Sequence, residues 1–148
     1  MQEKSEVYLY SDGACKGNPG PGGYGTILVY KGKERELCGG AADTTNNRME
    51  LLGAISAFEA LNRPCDVSFC SDSKYVIDGL SKGWAESWKK KNWKKGDGKP
   101  ALNPDLWDRL LAATAPHDVT YIWIKGHAGH AYNERCDALA VAEAEKFL

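Results

Sequence analysis

Four acidic side chains stand out because the residues around each of them are typical of rigid functional loops. Asp12 opens a run rich in Gly and Pro, and Glu50 follows a segment of Thr and Asn. Asp72 lies between two serines, and Asp137 follows a loop rich in Gly and His. Taken singly, each acid could be a solvated carboxylate at a strand end. Taken together, they offer the oxygen ligands that a hard cation such as Mg²⁺ prefers, and they predict a divalent-cation site if the fold brings them together.

The N-terminal part of the chain predicts three strands. Residues 6–12 alternate between two faces, and this period of two indicates a strand that ends in the first of the four acids. Residues 24–30 and 34–42 predict two further strands, joined as a hairpin at 31–33. The Gly/Pro cluster at 17–25 predicts a turn.

Residues 47–61 change to a helical period, with apolar side chains recurring along one stripe. Glu50 lies near the start of this predicted helix. Gly53, Ala54 and Ala57 follow it on the same side, and their small side chains would let the helix approach a sheet closely. We expect this approach to carry Glu50 toward the end of a strand.

The rest of the chain predicts strands that alternate with helices. Asp72 stands just past a short predicted strand at 67–70. The remaining elements are predicted as helices over 73–80, 84–91, 104–114 and 133–147, a strand over 119–125, and loops over 92–101 and 126–132. The fold class is therefore α/β, a five-stranded mixed sheet of three antiparallel strands followed by parallel crossovers and flanked by helices. In such sheets ligands gather at the carboxyl ends of strands, and a helix N-terminus such as the one beside Asp137 tolerates an anion.

Length and composition predict one soluble globular domain over residues 1–148. The charged share is 26%, the hydrophobic share is 43%, and no apolar run reaches the ~18 residues of a membrane span. The N-terminus lacks the basic and apolar regions of a secretory signal. The five cysteines form no Cys-x-x-Cys pair, so we expect reduced thiols in a cytoplasmic protein.

Charge is segregated along the chain. Residues 82–99 carry seven lysines against Glu86 and Asp97, a balance of +5, so the remainder carries −6 within a total of −1. A segregated basic segment predicts a surface that binds polyanions. Three tryptophans are interleaved with these lysines: Trp84, Trp88 and Trp93. They could form a small local core or contact a ligand, and both roles can hold. Trp107 and Trp123 are predicted to lie in the core or at its edge.

These segments together resemble type 1 ribonuclease H in its stand-alone bacterial form. The resemblance runs from about Val7 to Ala140, with the motifs in the family's order. The motifs are Asp-Gly-x-x-x-Gly-Asn-Pro-Gly-Pro from position 12, Thr-Asn-Asn-Arg-Met-Glu-Leu from 45, Ser-Asp-Ser from 71, Lys-Gly-His-Ala-Gly-His from 125 and Asn-Glu-Arg-Cys-Asp from 133. A Ser-Asp-Ser motif alone would carry no weight, but all of these motifs in one chain leave little room for coincidence.

The resemblance implies a ribonuclease H-like fold and an endonuclease that cuts the RNA strand of RNA–DNA hybrids. It implies that His127 transfers a proton near product release. The implied metal-binding catalytic acids are Asp12, Glu50, Asp72 and Asp137. The positions that match nucleic-acid contacts are Asn18, Thr45, Asn46, Asn47 and Lys74. The basic segment matches the family's substrate-binding protrusion, with the side chains Trp84, Trp88, Lys89, Lys90, Lys91, Trp93, Lys94 and Lys95.

The expected chemistry is phosphodiester hydrolysis assisted by two Mg²⁺ ions, with Mn²⁺ as a substitute. Two such ions about 3.5–4 Å apart clamp the attacking and leaving oxygens, so we expect in-line attack of a metal-bound water that leaves 3′-hydroxyl and 5′-phosphate ends. RNA differs from DNA by the 2′-hydroxyls of a wide minor groove, which suit the amides of Asn46 and Asn47. The expected partner is an RNA–DNA hybrid bound by a monomer, away from membranes.

Alternative functions use some of the same residues. One is a catalytically silent module that binds hybrids, although the presence of all four acids argues against it. Another is a related metal nuclease, such as an integrase or junction resolvase, although those groups lack this Thr-Asn-Asn-Arg-Met-Glu segment combined with the His loop. A zinc site at His127 and His130 would need more ligands than Cys136 supplies.

Two residues depart from the family pattern. Asp43 stands beside the residues expected to grip a DNA phosphate, where its charge could weaken binding. Lys74 occupies a position where Gln is usual, so it could add a phosphate contact or alter strand preference.

Overall fold

The computed structural model describes residues 5–125 and 130–148, which form a single sheet with helices packed against it. In chain order the elements are β1 (Ser5–Cys15), β2 (Gly20–Tyr30), β3 (Lys33–Thr44), α1 (Asn46–Glu59), β4 (Cys65–Ser71), α2 (Lys74–Ser81), α3 (Trp84–Lys90), α4 (Pro104–Thr114), β5 (Asp118–Trp123) and α5 (Ala131–Glu145). No helix within these residues is long and apolar enough to cross a membrane.

The sheet has five strands in the order β3-β2-β1-β4-β5. The pairs β1–β2 and β2–β3 are antiparallel, whereas β1–β4 and β4–β5 are parallel. This arrangement confirms the predicted mixed sheet of three antiparallel strands followed by parallel crossovers. Strand β1 lies in the middle, so its C-terminal end is surrounded by the other elements.

The connection from β2 to β3 confirms the predicted hairpin. Tyr30 pairs with Lys33, which leaves Lys31 and Gly32 as a two-residue turn. Both turn residues have positive φ, 50° and 77°, as a type I′ turn requires. Glycine adopts this conformation without strain, which explains its place at the second position.

The prediction of a turn over 17–25 is wrong in its second half. Strand β2 already begins at Gly20, and Gly23 and Gly25 pair with β1. Helix α5 packs directly on these glycines: a Cβ atom at Gly25 would lie 2.5 Å from the carbonyl oxygen of Cys136, and one at Gly23 would collide with the carbonyl of Ala140. The glycines therefore serve a close approach between sheet and helix.

The main core lies between one face of the sheet and the helices α1, α2 and α4 that cover it. Phe58 of α1 packs on Phe69 of β4, with ring centroids 5.3 Å apart. Trp107 of α4 is fully buried, as predicted, and its ring lies against Gly79 of α2. Trp107 also meets the ring of Trp88 edge-on at 5.9 Å, which attaches the predicted protrusion to the core.

Candidate active site

Three of the four predicted acids converge at one end of the sheet. One carboxylate oxygen from each of Asp12, Glu50 and Asp72 lies within 4.8 Å of the others. Asp12 is only 2% exposed and Glu50 only 6%, whereas Asp72 is half-buried. Among residues 5–125 and 130–148, no other group of three His, Cys, Asp or Glu side chains meets the same criterion.

The Ser-Asp-Ser segment holds Asp72 at the end of β4. Ser71 pairs with Ser11 of β1, so Asp72 emerges beside Asp12. The backbone N–H of Ser73 donates to the hydroxyl of Ser71 at 3.0 Å, and the Ser73 hydroxyl in turn caps α2 by accepting from the N–H of Val76 at 3.3 Å. The two serines therefore stabilise the turn that presents the carboxylate.

Glu50 reaches the cluster because α1 crosses β1 at a glycine. The Gly13 position lies so close to α1 that an added Cβ atom would be 2.6 Å from the backbone nitrogen of Glu50. Farther along α1, the Thr26 hydroxyl donates to the carbonyl of Gly53 at 2.8 Å. The predicted close approach of this helix to the sheet is confirmed, and it carries the Glu50 side chain toward the end of β1.

Asp137 projects from the first turns of α5. This helix is anchored by contacts on both of its sides. His130 caps the helix by accepting the N–H of Asn133 at 3.2 Å, and Tyr132 stacks on Tyr10 of β1 with centroids 4.5 Å apart. Arg135 forms ion pairs with Glu34 and Glu36 of β3 at 2.6 and 2.9 Å. These ion pairs attach α5 to the edge strand of the sheet. The negative charge of Asp137 acts on Asp12, where it contributes to raising the pKa of the carboxyl.

Burial and mutual repulsion make the cluster electrostatically costly without a cation. Burial, followed by the charge of Asp72, raises the pKa of Asp12 to about 8. Burial and the charges of Asp12 and Asp72 raise the pKa of Glu50 well above its ordinary value.

The donor set fits a divalent cation that prefers oxygen. All of its donor atoms are carboxylate oxygens, and Oε2 of Glu50 is buried with no hydrogen-bond donor among the described residues. A hard cation would satisfy this oxygen and offset the repulsion among the acids.

Comparison with known proteins agrees with this geometry. The family model described as RNase H matches residues 4–145. The chain belongs to the ribonuclease H family.

Relatives from bacteria cover nearly the whole chain. It is 54% identical over 141 residues to ribonuclease H of Desulforamulus reducens, covering 95% of this chain and 89% of the relative. It is 58% identical over 135 residues to ribonuclease HI of Caulobacter vibrioides, covering 91% and 90%. Among solved structures, the crystal structure of LC9-RNase H1, a type 1 RNase H with the type 2 active-site motif, matches all of this chain and 76% of its own with a TM-score of 0.87 and 34% identity. The chain is therefore a ribonuclease H of the bacterial stand-alone type, and so a nuclease.

Asn18, Thr45 and Asn46 meet at one corner of this ribonuclease H. The Asn18 side chain accepts the backbone N–H of Asn46 at 3.1 Å, which joins the turn before β2 to the first turn of α1. Thr45 caps α1 by accepting the N–H of Arg48 at 3.2 Å, and Asn47 is exposed in the same helical turn. These residues form one polar surface at the start of the helix that carries Glu50.

The protrusion divides into an inner and an outer part. Trp88 and Trp93 pack against the core, while Trp84 is 44% exposed with the Lys82 ammonium 5.1 Å from its ring centroid. Lys89 is paired with Asp108 of α4 at 2.6 Å. The outer lysines predicted to bind substrate are exposed and in no ion pair within the described part of the chain, as is Lys99; they are Lys90, Lys91, Lys94 and Lys95. Of the predicted substrate-binding residues, Trp88, Trp93 and Lys89 thus have a structural role here.

Two residues at the site were missed or misjudged from the sequence. Arg48 forms a two-point ion pair with Asp105 at 3.1 and 2.9 Å, which joins the start of α1 to α4. Trp123, predicted in the core or at its edge, is 42% exposed and donates its indole N–H to the carbonyl oxygen of Asp72 at 3.1 Å. The sequence carries no direct signal for this contact, because it depends on the register between β4 and β5.

His127 lies outside the described residues, so its predicted role in proton transfer stays a prediction. His130 serves as the cap of α5, in agreement with the structural role expected for it.

Proposed function

We propose that this ribonuclease H is an endonuclease that hydrolyses the RNA strand of RNA–DNA hybrids. Asp12, Glu50, Asp72 and Asp137 would hold two Mg²⁺ ions, with Mn²⁺ as a substitute, and the products would carry 3′-hydroxyl and 5′-phosphate ends. The observation that carries the proposal is the convergence of three carboxylates within 4.8 Å in a chain of this family. The protein would act in the cytoplasm as a monomeric single domain.

The four carboxylates supply the charge and the oxygen ligands of the reaction site. When bound, the cations would activate water and stabilise the charge that develops on the phosphodiester oxygens. Asp12 and Glu50 are buried, whereas Asp72 and Asp137 are half-buried and border the solvent. Substrate would therefore approach from the side of Asp72 and Asp137. His127 is proposed to move a proton during the reaction.

The polar corner at the start of α1 supports recognition of two different strands. Asn46 and Asn47 are exposed, and amide side chains both donate and accept hydrogen bonds, as reading a 2′-hydroxyl requires. We assign the nearby Thr45 to contact with a DNA phosphate. Asp43 is exposed at the end of β3 in the same region, where its charge would oppose that contact.

Cleavage of a labelled substrate panel tests the proposal. The protein is incubated with an RNA–DNA hybrid, double-stranded RNA and double-stranded DNA of one sequence, with Mg²⁺, with Mn²⁺ and with EDTA. We expect cleavage of the RNA strand of the hybrid alone, and only with a cation. The products should be joined by a ligase without prior phosphorylation, because their ends carry 3′-hydroxyl and 5′-phosphate groups. Failure to cut the hybrid with either cation, or preferential cutting of DNA, would refute the proposal. Tight hybrid binding unaffected by Asp72→Asn, without cleavage, would indicate the silent module instead.

Neutralising the outer lysines of the protrusion should weaken hybrid binding. We expect Ala at Lys90, Lys91, Lys94 and Lys95 to reduce the slope of log affinity against log salt by about 0.9 for each lysine that contacts a phosphate. Turnover of bound substrate should be largely retained, because the carboxylates are untouched. Binding is measured by fluorescence anisotropy in EDTA at several salt concentrations.

Lys31 and Lys33 offer a matched control for this prediction. They lie at the β2–β3 hairpin, at the opposite end of the sheet from Asp12. Replacing both with Ala changes the net charge but should leave the salt slope unaltered. An equal effect per lysine replaced in the hairpin and protrusion variants would mean that net charge alone, and not the protrusion, controls binding.

A further inference from the structure

Trp123 connects the end of β5 to the backbone of Asp72. Its indole N–H donates to the Asp72 carbonyl oxygen at 3.1 Å, and the N–H of the next residue, Ile124, donates to the carbonyl of Ser71 at 2.9 Å. These two bonds extend the β4–β5 pairing past the last strand residue. The indole thus fixes the backbone that carries a carboxylate of the site without using the carboxylate itself.

The same indole ring also holds Lys74. The Lys74 ammonium lies 5.0 Å from the Trp123 ring centroid, within the range of a cation–π contact. Lys74 is exposed at the start of α2, two positions after Asp72. Its ammonium is in no ion pair with a carboxylate of residues 5–125 or 130–148. The lysine nearest in sequence to Asp72 is thereby oriented by an aromatic ring and not by an acid.

We propose that Lys74 and Trp123 together form a phosphate contact at the edge of the active site. Lys74 would bind a backbone phosphate of the nucleic acid, and Trp123 would be a positioning residue for both Lys74 and Asp72. An ammonium is a compact point charge that suits a single phosphate, and the ring restricts its otherwise flexible stem. This inference rests on the proposed function, because a nucleic acid must lie across the carboxylates.

Lys74 variants test the phosphate contact. We expect Lys74→Gln to weaken binding of the hybrid in EDTA by about tenfold at low salt and to reduce the salt slope by about 0.9, while Lys74→Arg retains most of both. Lys31→Gln is the matched control, since the Lys31 ammonium also lies over an aromatic ring, that of Tyr30, at 5.4 Å. If the salt slope of Lys74→Gln equals that of the unmodified protein, the proposed phosphate contact is refuted.

Trp123 variants test the positioning role. Trp123→Phe keeps an aromatic ring but loses the N–H, so we expect weaker Mn²⁺ binding by calorimetric titration and a lower kcat with little change in KM. In a Trp123→Leu background, Lys74→Gln should have a much smaller effect on hybrid affinity, because the ring that orients the ammonium is gone. A change confined to the melting temperature, with Mn²⁺ affinity unchanged and the two substitutions additive, would show that Trp123 is merely structural.

The unmodified protein distinguishes the two levels of failure. If it neither binds nor cleaves the hybrid, the proposed function fails and this inference fails with it. If it cleaves the hybrid while the Lys74 and Trp123 variants behave like the Lys31 control, only the phosphate contact is refuted.

Discussion

Replacing Asp12 with asparagine is expected to reduce hydrolysis strongly and, in the same variant, to stabilise the cation-free protein. The carboxylate is 2% exposed and lies within 4.8 Å of two other acids, so the folded state must accommodate a charge that it disfavours. Asparagine has nearly the same shape without the charge. We expect a loss of activity on the order of 10³-fold, because a cation ligand is removed. We expect the free energy of unfolding in EDTA to rise by roughly 1–3 kcal/mol near pH 8.

The pH dependence of this stabilisation follows from the direction of the pKa shift. The pKa of Asp12 is raised from 3.8 to about 8 on folding, chiefly by burial and then by Asp72. Well below pH 3.8 the carboxyl is protonated in both states, so the unmodified protein and the variant should be similarly stable. As the pH rises toward 8, the unfolded state releases the proton first, and the unmodified protein progressively loses stability. Above pH 8 the difference should level off.

Urea denaturation in EDTA between pH 4 and pH 9 measures this difference. Asp66→Asn is the control, since Asp66 is exposed at the other end of the parallel strands. Mg²⁺ or Mn²⁺ should then stabilise the unmodified protein more than the Asp12 variant, because a ligand that binds the folded state raises its stability. A stability difference that does not vary with pH would contradict the assigned electrostatics.

The mixed sheet and the placement of Asp12 and Asp72 at one edge of it could be predicted from local patterns in the sequence. The period-two alternation of β1 ends at Asp12, and Asp72 directly follows β4. Because β1 and β4 are parallel neighbours, the two acids had to emerge at one edge of the sheet. Small residues after Glu50 indicated that α1 would pack closely on the sheet. These predictions succeeded because each depends on neighbours within a few positions.

Predictions failed where a residue's role depends on a distant partner. Gly23 and Gly25 look like turn residues, but their function is to admit α5, which lies more than a hundred residues later in the sequence. For Trp88 the sequence analysis left both an inward and an outward role open, because its burial depends on Trp107 of another helix. The contact of Trp123 with Asp72 depends on the register between β4 and β5, which a single sequence does not display.

Replacing Gly13 with alanine is expected to disturb the active site without altering any polar group. The new Cβ atom would lie 2.6 Å from the backbone nitrogen of Glu50 and 2.7 Å from the carbonyl carbon of Met49. These are backbone atoms of a buried helix, so relief requires α1 to move away from β1. We expect the free energy of unfolding to fall by roughly 2–3 kcal/mol, as for other overpacked cores.

The same displacement should lower activity at saturating cation and substrate. Glu50 is carried by the part of α1 that must move, and a misplacement of about 1 Å can reduce turnover about a hundredfold. The variant should also bind Mn²⁺ less tightly, which calorimetric titration measures directly.

Gly53→Ala is the matched comparison, because Gly53 lies at the same contact between α1 and the sheet but with more room. Its added Cβ atom would be 3.3 Å from the Asp12 carbonyl oxygen and 3.4 Å from the Tyr24 Cβ. The gain of about 1 kcal/mol in helix propensity should offset this mild crowding, so the stability of Gly53→Ala should stay close to that of the unmodified protein. If Gly13→Ala were equally well tolerated and equally active, then close packing at Gly13 could not be what places Glu50 among the acids.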